Sequence, residues 1–229
     1  MRNLLIAGVV VIVAGVAGFL AWQHYVGTTP AAAQSTSVSA AVDTLPKPYD
    51  SPLIKAQPDD LVLGDANAPI TMIEYSSLSC PHCARFAKDV MPKIKTEFVD
   101  TGKVKFIPRD FPLNKPAVQA ALFAHCQSPM LFYGISESLF KTQDQWLTEN
   151  ATEALAQIAA TAGMDRAKFD ACLADKTMEA KIVATEKAGQ DAFAINATPT
   201  FIVNGIKLEG EQSYDDLKAL FAKLGASGS

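Results

Sequence analysis

This chain lacks several signatures that would have narrowed its class at once. It has no internal repeat and no glycine-rich loop of the kind that cradles phosphate. Basic residues are in deficit: 20 Lys and Arg face 24 Asp and Glu, for a net charge of −4. That argues against nucleic acid, whose binding relies on clustered cations. Histidine is scarce, with three in 229 residues, and cysteine is limited to Cys80, Cys83, Cys126 and Cys172. An even number permits two disulfides without requiring any. With 49% hydrophobic and 19% charged residues, the chain still has the composition of a foldable globular protein with an apolar segment added.

Charge is also missing from one long run. Residues 4–22 carry none, after Arg2 and the terminal amine. At about 1.5 Å per residue such a helix is roughly 28 Å long, close to a bilayer core. Trp22 and Tyr25 stand where interfacial aromatics anchor a span. The positive end precedes the run, so the rest of the chain is expected outside the cytoplasm. The preferred reading is an uncleaved inner-membrane anchor within residues 1–26. Ala31-Ala32-Ala33 offers the alternative, a signal peptide cleaved near Ala33 that leaves a soluble periplasmic protein. A buried core helix is the third reading. Either of the first two places the cysteines where disulfides persist. Residues 27–58 contain five of the 13 prolines among Ala, Ser and Thr, and read as a mobile linker, with the folded body starting near Asp59.

The body alternates between two periods. Residues 70–76, I-T-M-I-E-Y-S, read as a strand buried on both faces, with Glu74 its one charge. Pro81 suits the first position of a helix. Cys83, Ala87, Val90, Ile94 and Phe98 then recur three or four apart, and Pro92 predicts a kink. Residues 104–107 read as a second strand, completing a right-handed βαβ unit. Residues 114–188 are mostly helical, with Gly163 and Asp165 as stop and start signals. Asn204-Gly205 between residues 200–203 and 206–208 is a hairpin signal, and Ser213 with Asp216 resembles a capping box before a last helix. The order is β-α-β, helices, then β-β-α.

Cys80-Pro81-His82-Cys83 admits four chemistries. Haem attachment needs histidine directly after the second cysteine, where Ala84 stands. Zinc needs about four ligands, and His82 points away from a chelate if all three groups share one turn. A structural disulfide here would close a very short loop and constrain the unfolded chain little. Redox exchange is favoured. Cys80 precedes the first helical turn, so its sulfur faces unpaired N–H groups and the positive end of the dipole, both of which favour thiolate. His82 can donate a hydrogen bond or, protonated, add charge; its bland reading is a solvated surface histidine. Cys83, one turn inward on the apolar face, reads as the resolving partner. His24 reads as interfacial and His125 as structural.

These features together resemble a known family. A strand, C-P-H-C at a helix start, a βαβ unit, Thr198-Pro199 about 115 residues later and a hairpin after it look like the thioredoxin fold. C-P-H-C, the long helical insertion and Glu74 six residues before Cys80 resemble the bacterial thiol:disulfide oxidoreductase DsbA family, over about residues 59–229. The resemblance implies an α/β thioredoxin-like domain (59–113 and 189–229) with an inserted all-helical domain (114–188). It implies a cis bond before Pro199 that sets the Thr198 backbone beside Cys80, a proton-relay role for Glu74, no cofactor and no metal. Implied partners are unfolded exported proteins with free cysteines, which a monomer would oxidise, and a membrane quinone-linked oxidase of DsbB type that recharges it. The chain departs from the best-known member in its second cysteine pair and in Thr rather than Val before the proline. Related periplasmic isomerases carry Thr there, so isomerase or reductase activity stays open, as does a tethered non-catalytic binding module. For Glu74 the bland reading is an ion pair with Lys103 or Lys105. Cys126 and Cys172, on apolar helix faces, are expected to form a second disulfide; the alternative is two core thiols.

Overall fold

The computed structural model describes residues 45–225. The apolar run at 4–22, His24, Ala31-Ala32-Ala33 and the first part of the 27–58 stretch lie outside the described residues. Among the described residues, no helix is long and apolar enough to cross a membrane.

Strand β1, Ile70–Ser76, is the centre of the fold and is buried on both faces up to its last residue. Its β-branched and aromatic composition suits that environment. Helix α1 follows over residues 81–99 in four segments. Pro81–Arg85 and Met91–Ile94 are α-helical, and Phe86–Val90 and Lys95–Val99 are π-helical. Where a kink at Pro92 was expected, a widened turn forms just before it, with the Met91 N–H donating to the Phe86 carbonyl five residues back. Proline lacks an N–H and its ring crowds the carbonyl four residues earlier, and the wider turn relieves both. Strand β2, Val104–Asp110, pairs parallel to β1 from Ile70↔Val104 to Ser76↔Asp110. It runs past the expected end at 107 and contains Pro108, which an edge strand tolerates.

The helical stretch comprises α2 (Lys115–His125), α3 (Pro129–Lys141), α4 (Gln143–Trp146), α5 (Ala151–Thr161), α6 (Arg166–Leu173) and α7 (Lys176–Phe193). Asn114 and Asp165 cap α2 and α6 by accepting the Ala117 and Lys168 N–H groups. Cys126, at the end of α2, and Cys172, in α6, form a disulfide with Cα atoms 5.7 Å apart. Helix α7 runs past the expected domain boundary at 188. Strands β3 (Thr200–Val203) and β4 (Ile206–Glu209) close the sheet in the order β2-β1-β3-β4, β3 antiparallel to both neighbours. Asn204 and Gly205 both take positive φ, 45° and 87°, as a two-residue hairpin turn requires. Helix α8, Tyr214–Lys223, is capped by Ser213.

Among the described residues, three cores hold these layers. Phe86, Ile94 and Phe98 of α1 and Leu217 and Phe221 of α8 pack on one sheet face, against Met72 and Phe201. Phe193 of α7 packs on the other, against Ile73, Tyr75, Ile107 and Ile202. The third core joins the helical stretch to Leu78, Cys80, Cys83 and Ala84. The cysteine pair therefore sits where the helices meet the sheet domain.

Residues 49–57, expected as part of a mobile linker, instead pack on the body. The Tyr49 N–H donates to the Gly205 carbonyl at 2.9 Å, and its ring meets Phe193 edge-on. Buried Arg109 donates to the Leu53 and Lys55 carbonyls and to Asp60. Proline-rich composition indicates that a stretch has no core of its own; it does not prevent docking on another.

At Gly189 helix α7 packs tightly on β1: an added Cβ would lie 2.6 Å from Tyr75 Cε1. The Tyr75 ring cannot swing away, because its hydroxyl accepts from Arg109 at 3.0 Å and it packs on Phe193. Overpacking costs about 1–3 kcal/mol, against a helix-propensity gain of about 1 kcal/mol for Gly→Ala. We expect Gly189→Ala to lower the urea midpoint at unchanged slope. An unchanged or higher midpoint would contradict this packing.

Candidate active site

Cys80 is the N-cap of α1. Pro81 at the first helical position gives up no hydrogen bond and starts the turn immediately after the cysteine. The Cys80 backbone is extended, at φ −81° and ψ 123°, which turns Sγ back over the helix end, where it accepts from the Cys83 N–H at 3.5 Å. Cys80 is 3% exposed and Cys83 0%. Both are free thiols. Across from them the Thr198–Pro199 bond is cis, and the Cys80 thiol donates to the Thr198 carbonyl at 3.3 Å. The Thr198 hydroxyl is buried without a hydrogen-bond partner of its own.

The two thiols are placed in opposite electrostatic conditions. Cys80 is pulled down to about 5. The largest cause is the hydrogen bond from the Cys83 thiol, partly offset by desolvation; the Thr198 side chain and the N–H groups of Cys83 and His82 add to it. Cys83 is held far above the ordinary thiol range, first by burial, then by its bond to Cys80 and the negative charge of Glu74. Glu74 is 5% exposed and its Oε1 has no hydrogen-bond partner. Burial first, and then the charge on Cys80, push it up to about 8. No ion pair relieves it among the described residues: Lys105 donates instead to the Ala66 and Ala68 carbonyls.

His82 is 56% exposed on its side chain, and its imidazole is engaged by Glu211 and Arg85. Nδ1 lies 3.1 Å from Glu211 Oε2 and 2.5 Å from Arg85 Nη2, and Arg85 is itself bonded to Glu211. It is the His82 backbone N–H that supports the thiolate, so the side-chain donation expected from the sequence is not what the geometry provides. His125 Nε2 pairs with Asp110 at 2.6 Å and its ring lies on Phe132.

Sequence reasoning missed three groups here. Gln143 Nε2 donates to the Leu78 carbonyl at 2.6 Å and to the Cys80 carbonyl at 3.0 Å, so α4 clamps the loop that carries Cys80. Asn114 Nδ2 donates to Ser79 Oγ, which in turn shares a hydrogen bond with Ser77 Oγ. Glu211 reaches Arg85 and His82 from the far end of the chain. A lone Gln or Glu gives no periodic or spacing signal, and none could have been read from the sequence.

A central mixed sheet, a cysteine pair at a helix start and a cis-proline beside it define a thioredoxin-fold protein with a helical insertion. The family model described as Thioredoxin matches residues 56–223. The chain belongs to this family, and within it to the DsbA-like proteins. Among solved structures it is similar to alpha-DsbA1 of Wolbachia pipientis, with 33% identity and a TM-score of 0.71, covering 75% of this chain and 94% of that one. Among curated proteins it is 30% identical to Disulfide bond formation protein D of Bacillus subtilis over 75% of this chain and 78% of the relative. It is 32% identical to a putative protein-disulfide oxidoreductase of Rickettsia bellii, covering 68% of this chain and spanning 61% of that relative's length.

The Cys80 geometry fixes a sign for pH dependence. A folded pKa near 5 lies below the reference value of 9.0 for an unpaired thiol. The depressed group stabilises the reduced protein fully above about pH 9, and the contribution is lost as pH falls through about 5. Thiolate absorbance at 240 nm should therefore titrate with a midpoint near 5 in the reduced protein. Paired urea unfolding should show the reduced form gaining on the oxidised form between pH 5 and 9. A midpoint near 9, with no such gain, would contradict the assignment.

Proposed function

We propose that this protein is a thiol:disulfide oxidoreductase that donates the Cys80–Cys83 disulfide to exported proteins. The observation that carries the reading is the asymmetry of the pair: Cys80 caps the helix and accepts the Cys83 N–H, which favours its thiolate, while Cys83 lies fully buried one turn on, which favours its thiol. A substrate thiolate attacks Cys80 Sγ of the oxidised protein. The Cys80–Cys83 bond breaks, its electron pair goes to Cys83 Sγ, and that sulfur takes up a proton. Glu74, protonated below about pH 8, is the buried acid nearby. The substrate's second thiolate then attacks the substrate sulfur of the mixed disulfide and releases Cys80 as thiolate. The substrate loses two electrons and the protein gains them. Because Cys80 is a good leaving group, the cycle favours oxidation of the substrate.

Main-chain pairing with Thr198, beside the cis bond, suits an extended peptide of any sequence and supports unfolded proteins as substrates. The uncharged run at residues 4–22 supports a periplasmic body tethered to the inner membrane, with soluble release near Ala33 as the alternative. A membrane quinone-linked oxidase of DsbB type is the proposed recharging partner, and the working unit is a monomer. Thr198 favours one second reading, an isomerase or reductase, which needs a reducing partner.

Oxidised protein mixed with a reduced, unfolded substrate should transfer one disulfide per molecule. Cys80→Ser and Cys83→Ser should each abolish transfer, since neither variant can hold the donor disulfide. Rapid isomerisation of scrambled disulfides with little net oxidation would favour the second reading. Thr198→Val should raise the Cys80 pKa, since the buried Thr198 side chain, whose hydroxyl has no other partner, helps hold the sulfur as thiolate. The variant should be the weaker oxidant; no change in either quantity would remove Thr198 from the site.

A further inference from the structure

A cavity of about 290 Å³ lies beneath the site, between α1, the β1–β2 edge and α3. Leu63, Ala87, Met91, Phe106, Phe132 and Phe140 give it apolar walls. Its α1 wall is built from both π-helical segments and the short α-helical piece between them, so the widened turns lie along the cavity. Such turns recur at functional sites. Two polar atoms on its lining are fully buried and have no hydrogen-bond partner, Glu74 Oε1 and Ser136 Oγ. An apolar cavity with a few convergent polar groups is the usual form of a small-molecule site.

The charges around it decide what fits. The other ionisable side chains on the lining are Lys95, Glu137 and Tyr133. Lys95 is held by Asp100 at 2.7 Å, Glu137 by Lys141, and the Tyr133 hydroxyl donates to the Leu61 carbonyl. None pairs with Glu74. What the cavity lacks is a donor, best a cation, at the carboxyl end. We propose that this cavity is a binding site for a small amphiphilic amine, an aromatic or aliphatic body with one ammonium head bonded to Glu74 and Ser136.

An ammonium partner makes Glu74 ionise with release of one proton, and the resulting carboxylate–ammonium pair adds no net charge beside the cysteines. The binding rests on the cavity and its lining and is independent of the function proposed above. Binding releases the Glu74 proton, so below about pH 8 affinity should rise about tenfold per pH unit.

The test is ¹⁹F NMR titration of 4-fluorophenethylamine into the full chain, oxidised and reduced, beside the matching alcohol, 2-(4-fluorophenyl)ethanol. We expect saturable amine binding that tightens with pH from 6 to 8 and exceeds alcohol binding at least tenfold. Glu74→Gln should erase the preference for amine and its pH dependence. Ala87→Leu, which fills the cavity, should abolish binding; Ser136→Ala should weaken it severalfold and serves if the leucine variant does not fold. Alcohol binding as tight as amine binding, or amine binding unchanged in Glu74→Gln or Ser136→Ala, overturns the proposal. Loss of disulfide transfer in Cys80→Ser with amine binding retained would separate the two readings.

Discussion

The position of one sulfur atom at the start of α1 organises this structure. A thiolate there needs donors that no solvent supplies, because Cys80 is almost fully buried. The N–H groups of His82 and Cys83 are free of intrahelical partners only because Cys80 is the cap and Pro81 begins the helix. The remaining supports come from distant parts of the chain. Cys83 presents its thiol one turn on, the cis bond at Pro199 brings the Thr198 side chain alongside, and Gln143 holds the Cys80 carbonyl from α4. The helical insertion is thus part of the site, since it clamps the loop and contributes the core in which both cysteines sit.

The same burial creates the opposing group. Glu74 on the central strand cannot ionise freely because it has no cation and no donor at Oε1. Its negative charge and that of Cys80 each raise the cost of the other. A site with one favoured anion and one suppressed anion can move a proton and an electron pair together. A strand with two ionised groups, or none, could not.

Much of the fold was legible because it rests on local chemistry. The alternation at 70–76, Pro81 after the first cysteine, Asn204-Gly205 between two short strands and the caps at Asp165 and Ser213 are local signals, and each element formed where it was read. Residues 49–57 were misread because their partners, Phe193, Gly205 and Arg109, are remote in sequence. The widened turn before Pro92 has the same residue signature as a kink, and only the packing of α1 on the sheet selects between them. At the site, the cysteines and Thr198-Pro199 could be named in advance, but the direction of the His82 side chain could not. That direction is set by Glu211, more than a hundred residues away.

The central claim is that the fold stabilises the Cys80 thiolate more than the disulfide. Its most direct test is the reduction potential of the Cys80–Cys83 pair, from equilibration with glutathione while Cys126–Cys172 stays closed. This account predicts a potential well above the value of about −270 mV typical of thioredoxin, and nearer that of strong oxidants at about −120 mV. A potential at or below about −270 mV would contradict it.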